Sequence, residues 1–201
     1  MKIRWGRLED KEPLYKICLE TGDSGSDASA KMLNKERYGD IWVGPYLSLI
    51  EPSCLVLEDG DDNLIGYCLG AQNSRDFEEY CESYWWPQKR LLYPAPAMQR
   101  KEIWSRDEEL QHLIHHPRQT PPDVYKKYPS HAHINLLSGA RGQGWGRNLM
   151  ESLENEFRRR GSCGMHLTLS ASNLSALAFY RSIDYEILYQ NSFEITVVKQ
   201  L

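Results

Sequence analysis

The amino-acid sequence predicts a fold of the α/β class, and two observations carry that prediction. The first is a pair of strand-like runs joined by the turn sequence Asp59-Gly60-Asp61-Asp62, which is typical of a hairpin. The second is a strand–helix–strand succession late in the chain, in which apolar side chains recur along one helix face until Gly161 ends it. A chain of 201 residues is long enough to bury a hydrophobic core around such elements.

The remaining elements follow from the spacing of apolar residues and from the residues that end each run. Asp10 stands where it can cap a helix, and Asn173 stands in the same position before a second, shorter one. Gly44-Pro45 interrupts a third helical pattern. In chain order the predicted elements are a strand at 1–5, a helix over 11–20, a helical patch over about 36–50, strands at 54–58, 63–71 and 131–137, a helix over about 145–160, a strand at 163–169, a helix from 173 to about 182, and strands at 185–190 and 193–199.

Residues 72–130 differ from the rest of the chain, because tryptophan, proline and histidine are concentrated there. Short helical patterns at about 75–86, 106–115 and 121–127 are separated by proline-bearing turns. The segment is too short and too interrupted to bury a core of its own. We therefore expect a helical insertion within one domain that spans residues 1–201.

The overall composition argues against several classes of function. A net charge of −4 and a pI of about 5.9 give no positive field to hold a nucleic-acid backbone, so no nucleic-acid partner is expected. No stretch approaches the ~20 apolar residues that span a bilayer, and no membrane association is expected. Five cysteines without a C-x-x-C pair favour free thiols in a reducing, cytoplasmic compartment. His112, His115 and His116 lack further ligands of suitable placement, so no metal site is expected.

The motif Arg141-Gly142-Gln143-Gly144-Trp145-Gly146 lies between a predicted strand and a predicted helix. Glycines allow a tight turn and a close approach of the backbone to a ligand. The free amides of the first helical turn point outward, and the helix dipole adds partial positive charge there. This combination suits a pyrophosphate, to which Arg141 could add a charge-assisted hydrogen bond. The motif is not a dinucleotide fingerprint, because Arg147 stands where that pattern requires its third glycine.

A second motif is Asn173-x-x-Ala176-x-x-Phe179-Tyr180. Asn173 and Tyr180 are seven residues apart and therefore share one face of a helix. Ala176 lies between them and leaves room for a narrow ligand. A plain helix with a cap and a packed aromatic pair would have the same pattern, so both interpretations stay open.

In this order and spacing, the two motifs resemble those of the GNAT N-acetyltransferase superfamily. The resemblance implies a GNAT fold: a mixed, mostly antiparallel twisted sheet of about six or seven strands, with helices on both faces and strands 4 and 5 parallel and splayed. It also implies acetyl-CoA as cofactor, with its pyrophosphate on the glycine-rich turn and its pantetheine arm between the splayed strands. The positions that would contact acetyl-CoA are Leu136, Leu137, Ser138, Arg141, Gly142, Gln143, Gly144, Trp145, Gly146, Arg147, Asn173, Phe179 and Tyr180.

A narrower likeness covers most of the chain. The segments 18–23, 44–47, 84–87 and 128–131 look like the acetyltransferase-like C-terminal domain of O-GlcNAcases and its stand-alone bacterial relatives. The animal domain is regarded as a pseudo-acetyltransferase with a degraded pyrophosphate loop. The motif at 141–146 departs from that degraded form, because its arginine and its glycines are present. The likeness therefore favours cofactor binding and leaves turnover open.

The family reaction implied by the resemblance is direct attack of a neutral amine, from a small molecule or a peptide, on the acetyl-CoA thioester. Tyr180 would act as the proton donor to the leaving thiolate, and losing it should slow the reaction rather than abolish it. A backbone amide of Leu136 or Leu137 would stabilise the oxyanion. The alternative is a catalytically silent module that binds a peptide or protein.

The general base is the missing part of this hypothesis. Several GNAT enzymes use a glutamate or histidine on the acceptor-facing side of the strand before the glycine-rich turn. Counting back from Arg141 by the family spacing places Ser130 and Ala132 on that side. His131 and His133 then point to the opposite face, because side chains alternate along a strand. A one-residue bulge would reverse the assignment.

The acceptor pocket of such folds is built from the first two helices and the loop between them. The resemblance assigns acceptor contacts to Asp23, Tyr46 and Trp86. A turn carboxylate and two core aromatics are the corresponding structural alternatives. Asp23, Asp27 or an ordered water would serve as the base if the histidines face away.

Overall fold

The computed structural model describes residues 1–49 and 53–201. The strands are β1 (Lys2–Trp5), β2 (Cys54–Glu58), β3 (Leu64–Ala71), β4 (Ser130–Leu136), β5 (Gly164–Ser170), β6 (Glu186–Gln190) and β7 (Glu194–Gln200). The helices are α1 (Lys11–Glu20), α2 (Glu36–Trp42), α3 (Gly44–Leu47), α4 (Ser74–Tyr80), α5 (Trp86–Leu92), α6 (Arg106–His115), α7 (Pro122–Lys127), α8 (Trp145–Arg159) and α9 (Leu174–Ser182).

The seven strands form one sheet in the order β1-β2-β3-β4-β5-β7-β6. Neighbouring strands are antiparallel except for β4 and β5, which are parallel. Those two strands pair at Ser130–Met165 and His131–His166, and no further pairing between them is present among the described residues. The predicted α/β class, with a mostly antiparallel sheet and splayed parallel strands 4 and 5, is confirmed.

Helix α8 covers one face of the sheet. Its apolar side is buried and packs against residues of β2, β4 and β5, in a cluster that includes Leu149, Met150, Leu153 and Phe157. These are the positions that helical spacing selects in the sequence, so the apolar period of α8 fixes which side of the helix meets the sheet.

Helix α1 and the segment 72–130 cover the opposite face. Tyr67 and Leu69 of β3 point to this side, and they share one buried cluster with Leu14 of α1 and Ile114 of α6. The predicted insertion therefore completes the layer that α1 begins. That residues 1–201 form one domain stays a prediction, which this shared core favours.

A buried carboxylate joins the insertion to the first two helices. Asp40 of α2 accepts hydrogen bonds from the hydroxyl of Tyr15 at 2.8 Å, the Nζ of Lys89 at 2.7 Å and the hydroxyl of Tyr93 at 2.7 Å. Three donors satisfy the charge away from bulk water, which a buried carboxylate requires. The Asp40 site therefore holds α5 and the residues after it against α1 and α2.

A buried ion pair joins α2 to α6. Arg37 pairs with Asp107, and both side chains are less than a tenth exposed. Asp107 also accepts the backbone amides of Leu33 at 2.7 Å and Asn34 at 3.2 Å. The start of α6 is thus fixed to the segment that leads into α2.

Three predicted elements differ in detail. The helical pattern over about 75–86 extends to Leu92, through α4, a π-helical turn at Cys81–Trp85 and α5. The helical patch over 36–50 consists of two helices, α2 and α3, because Pro45 fits the first turn of a new helix but not the interior of one; residue 50 lies outside the described residues. Asp10 precedes α1, but its carboxylate accepts from Arg4 and from the amide of Arg7 instead of capping the helix. No helix in the described ranges has the length and apolar character needed to cross a bilayer.

We expect Asp107→Ala to lower the free energy of unfolding by about 3–5 kcal/mol, because it leaves Arg37 buried without its partner. Urea unfolding monitored by circular dichroism measures this loss. Glu109→Ala is the matched control on the same helix, since Glu109 forms an exposed ion pair with Arg106 and its removal should cost less than about 1 kcal/mol. Equal losses for the two variants would contradict the role assigned to the buried pair.

Candidate functional site

A cleft of about 1050 Å³ opens where β4 and β5 separate. Its walls come from the loop after α1, helix α2, the two splayed strands, the start of α8 and helix α9. We call the part lined by Arg141, Gly142, Gly144, Gly146 and Arg147 the glycine-loop end. The part lined by Tyr38, Trp42, Tyr67 and His133 is the aromatic end.

Two glycines shape the glycine-loop end. Gly142 has φ +72° and Gly144 has φ +83°, and an added Cβ at either would meet no atom within 4 Å. Gly144 directly precedes α8, whose first amides have no partner one turn back in the helix. Left-handed backbone, open space and outward amides together fit a diphosphate group.

Gly146 has a different role, although it belongs to the same motif. A Cβ there would lie 3.1 Å from the ring of Phe179 and 3.4 Å from Leu136. This close approach lets the start of α8 pack against both α9 and β4. Packing against Phe179 and Leu136 therefore requires a glycine at position 146, independently of the predicted cofactor contact.

Arg141 connects the two sides of the cleft. Its Nε donates to the carbonyl oxygen of Leu136 at 2.8 Å, and its Nη2 donates to the carbonyl oxygen of Gly25 at 2.7 Å. Gly25 lies in a tight turn in which Asp23 and Ser26 exchange backbone hydrogen bonds. The guanidinium thus holds the loop after α1 against the glycine-rich loop.

Helix α9 supplies the facing wall through Ala176, Phe179 and Tyr180, together with Asn173, which directly precedes the helix. The side chain of Asn173 accepts the amide of Ala176 at 3.0 Å, so this asparagine is a helix cap, as the plainer interpretation of the motif requires. Tyr180 is buried, and burial raises the pKa of its phenol above the ordinary value of 10.0. The hydroxyl therefore keeps its proton at neutral pH.

The backbone of β4 presents one edge to the gap. The amide of Leu137 donates to the carbonyl oxygen of Ile65 at 2.9 Å, on the β3 side. Because successive amides of a strand point to opposite edges, the amide of Leu136 points toward β5. Of the two predicted oxyanion donors, Leu137 is therefore wrong and Leu136 remains.

Four predicted cofactor positions do not line the cleft. The side chain of Leu137 packs with the α1 core, and that of Trp145 packs with the core beneath α8. Gln143 is exposed and donates to the carbonyl oxygen of Gly139 at 2.7 Å, and Ser138 is exposed on the turn before it. The family resemblance assigned these residues to the cofactor, but their side chains do not line the cleft.

The predicted orientation of β4 is wrong. His133 lines the cleft, its ring lies 5.8 Å from that of Trp42, and Asn135 on the same face donates to Thr21 Oγ1 at 2.6 Å. Ser130 and Ala132 are buried on the opposite face. The count from Arg141 failed because it crosses a 3-10 turn, Ser138–Ala140, in which the alternation of a strand does not hold.

Two predicted acceptor contacts lie in the core. The Tyr46 ring stacks on Phe77 with centroids 4.5 Å apart, and its hydroxyl lies 2.8 Å from His131 Nε2. Trp86 is buried in the same cluster. Neither Tyr46 nor Trp86 lines the cleft, so the prediction that they contact the acceptor is wrong. Burying these large aromatic side chains in the core is more favourable than exposing them to water in the cleft.

The third predicted acceptor contact, Asp23, does line the cleft, where its carboxylate pairs with Lys31 at 2.6 Å. Asp27 lies outside the cleft and accepts the amide of Ser29 at 2.7 Å. Sequence reasoning missed Lys31 and Arg106, which also line the cleft. No local pattern could have identified Arg106, because it reaches the cleft from the insertion through tertiary packing.

The histidines beneath the aromatic end are held neutral. Burial, followed by the neighbouring His166, lowers the pKa of His133 to about 4. Burial likewise lowers the pKa of His131 well below 6.5, and that of His166 is also lowered. His131 is bonded on both ring nitrogens, to Tyr46 and to Ser74 at 2.7 Å, whereas His133 makes no side-chain hydrogen bond to a described residue. Over the part of the chain that the structure describes, no group of three or more His, Cys, Asp or Glu side chains could hold a metal ion.

Comparison with known proteins agrees with this geometry. Residues 31–185 match the acetyltransferase (GNAT) family. Protein O-GlcNAcase of Rattus norvegicus is 27% identical over 192 residues, which are 94% of this chain but 20% of that protein. The chain therefore spans about a fifth of the length of the curated relatives it matches.

Solved structures are similar as well. The crystal structure of SsHAT superposes with a TM-score of 0.91 at 30% identity, over 99% of this chain and 97% of that one. PaiA N-acetyltransferase from Thermoplasma acidophilum, in complex with coenzyme A, has a TM-score of 0.56 at 13% identity, over 100% of this chain and 98% of that one. The latter likeness concerns the fold alone.

We expect acid to destabilise the folded chain between about pH 6.5 and pH 4. Unfolded histidines bind protons near 6.5, whereas folded His133 binds one near 4, so the unfolded state takes up more protons in this window. Each such histidine lowers the free energy of unfolding by at most about 1.4 kcal/mol per pH unit as the pH falls, and contributes nothing above the window.

Urea unfolding at pH 7.5, 6.0 and 5.0 measures this slope. His133→Gln should make the slope shallower, and His116→Gln, an exposed control, should leave it unchanged. An unchanged slope in His133→Gln would contradict the assignment.

Proposed function

Because the chain belongs to the acetyltransferase (GNAT) family, we propose that it transfers an acetyl group from acetyl-CoA to the amine of a small molecule or peptide. The observation that carries the proposal is a single cleft in which a left-handed glycine loop at the start of α8 adjoins the gap between β4 and β5. A diphosphate and a narrow flexible arm are the two parts of coenzyme A that such a cleft would take.

The cofactor would be held mainly by backbone. The amides of Trp145, Gly146 and Arg147 at the start of α8 would bind the diphosphate, and Gly142 and Gly144 leave the space it needs. The Leu136 amide would hydrogen-bond the thioester carbonyl oxygen from the edge of β4. When bound, acetyl-CoA supplies the acetyl group as an activated thioester. The coenzyme A complex of the PaiA N-acetyltransferase supports this assignment by its shared fold.

His133 is the proposed proton acceptor for the attacking amine. It faces the cleft, and it is uncharged at neutral pH because burial lowers its pKa to about 4. A low pKa makes it a weaker base than free imidazole, so its contribution should lie at the lower end of the 10²–10⁴-fold range typical of general bases, about 10²-fold. Asp23, the base considered from sequence, is paired with Lys31.

Tyr180 is the proposed proton donor to the departing sulfur. Its phenol keeps its proton at neutral pH, and its side chain lines the cleft beside the α8 start. A thiolate with a pKa near ~8.5 is already a good leaving group, so the contribution of the donor should be modest.

A second candidate function is a binding module that takes up acetyl-CoA or a peptide without turnover. Within the described residues, no protein group orients the His133 ring by a side-chain hydrogen bond, which distinguishes it from the usual held base. Cofactor binding without acetylated product would select this alternative. For either function a cytoplasmic setting is proposed, because all five cysteines are free thiols.

We expect Gly144→Glu to weaken acetyl-CoA binding at least about tenfold, because it places a carboxylate where the diphosphate would lie. Isothermal titration measures the affinity. Gly161→Glu is the matched control: its φ is +92° and its surroundings are equally open, but it lies at the far end of α8. Wild-type affinity in Gly144→Glu would sink the proposed cofactor site.

We expect His133→Gln to lower kcat by about 10²-fold and Tyr180→Phe by about tenfold, because each variant removes a proton-transfer group, and we expect acetyl-CoA affinity to be retained in His133→Gln, which removes no cofactor contact. Release of the CoA thiol measures turnover, and titration measures affinity. If His133→Gln turns over at the wild-type rate, another group or a water takes the amine proton.

A further inference from the structure

The charges on the cleft wall differ from those of the whole chain. Over the described residues, the charged side chains that line it are Lys31, Arg106, Arg141, Arg147 and Asp23, four cations and one carboxylate. The chain as a whole has a net charge of −4. An anionic protein therefore has a cationic cleft, and such local fields concentrate ligands of opposite charge.

The cations divide between the two ends of the cleft. Arg141 and Arg147 lie at the glycine-loop end, where the diphosphate of the cofactor would match them. Lys31 is paired with Asp23 at 2.6 Å, so these two charges compensate each other. Arg106 is the remaining cation on the wall at the aromatic end, and its ion-pair partner, Glu109, does not line the cleft.

Arg106 is placed at the cleft by a rigid support. It is the first residue of α6, and its neighbour Asp107 is tied to the buried side chain of Arg37 and to two backbone amides. Its Nη2 lies 3.4 Å from the hydroxyl of Tyr38, which in turn donates to the carbonyl oxygen of Gly22 at 2.8 Å. Of the insertion residues 72–130, Arg106 alone lines the cleft among those described.

The present partner of Arg106 can be exchanged for a ligand. Its Nη1 lies 2.7 Å from Glu109, one turn along the same helix, and the two side chains are 42% and 51% exposed. Exposed pairs of this kind contribute little free energy, whereas a carboxylate bound inside a cleft gains a stronger, charge-assisted bond.

We infer that the acceptor amine belongs to a molecule that also carries a carboxylate, and that Arg106 selects it. The inference rests on the proposed acetyl transfer and adds the substrate class. A free amino acid and an acidic peptide both have this chemistry. Lysine-rich peptides and polyamines do not, and the positive wall of the cleft repels them.

The test compares acceptors of matched shape with and without a carboxylate, and kcat/KM is expressed per unprotonated α-amine, because a neighbouring carboxylate also raises the pKa of that amine. L-phenylalanine is compared with L-phenylalaninamide, and the amidated peptide Ala-Glu-Glu-Ala with Ala-Gln-Gln-Ala and Ala-Lys-Lys-Ala. In at least one of the two comparisons, free amino acid or peptide, we expect the acceptor with the carboxylate to have at least about tenfold higher kcat/KM than its neutral counterpart. The neutral acceptor lacks the charged group that would accept a hydrogen bond from Arg106. The pair that shows the preference identifies the source.

Arg106→Gln should reduce that preference to about one, and Arg106→Lys should retain part of it. Arg118→Gln is the control, because Arg118 is an exposed insertion arginine that does not line the cleft. Equal kcat/KM within both pairs, or faster turnover of the lysine peptide by wild type, overturns the inference.

A binding measurement separates this inference from the proposed function. N-acetyl-L-phenylalanine and its amide, and N-acetylated Ala-Glu-Glu-Ala and Ala-Gln-Gln-Ala amides, are titrated into protein saturated with CoA. If wild type binds the carboxylate ligands more tightly and Arg106→Gln loses this preference, the inference is supported, even if no acceptor is acetylated. In that case only the proposed transfer activity is contradicted. Equal affinities, or no carboxylate binding at millimolar concentration, overturn the inference while cofactor affinity still tests the proposed site.

Discussion

Two strands that begin as paired neighbours and then separate create the space on which the rest of the site depends. β4 and β5 pair at Ser130–Met165 and His131–His166, and their facing edges then have no partner in the sheet over the described residues. Beyond that point β4 bonds to β3, and β5 bonds to β7. The unpaired edges leave backbone amides, such as that of Leu136, directed into a cleft instead of into a ladder.

The separation is supported on both faces of the sheet by different means. Below it, α8 packs through a continuous apolar stripe, so the glycine loop at its start has a fixed position. Above it, buried polar groups do the same work: Asp40 and the Arg37–Asp107 pair hold the insertion to α1 and α2. The aromatic end of the cleft is thus shaped by the segment 72–130, which in sequence looks like a peripheral insertion. Removing a partner from either polar site would disturb the cleft wall as well as the stability.

The sequence by itself determined the elements and the glycine loop, because both are local. The apolar period of α8, the hairpin turn at 59–62 and the run from Arg141 to Gly146 each depend on residues a few positions apart, and the structure has all of them. The glycine loop and the α9 motif together were also enough to predict the family fold, because the resemblance to the family consists in their order and spacing. Asn173 shows the limit of this reasoning, because a helix cap and a ligand contact give the same pattern.

Only the tertiary structure decided which side chains face the cleft. The face of β4 that carries His133 could not be counted from Arg141, because the 3-10 turn between them breaks the two-residue alternation of a strand. Tyr46 became a core residue because Phe77 and His131, both distant in sequence, close around it. Arg106 reaches the cleft because Asp107 beside it is anchored to Arg37, a contact across 70 positions that no short pattern records.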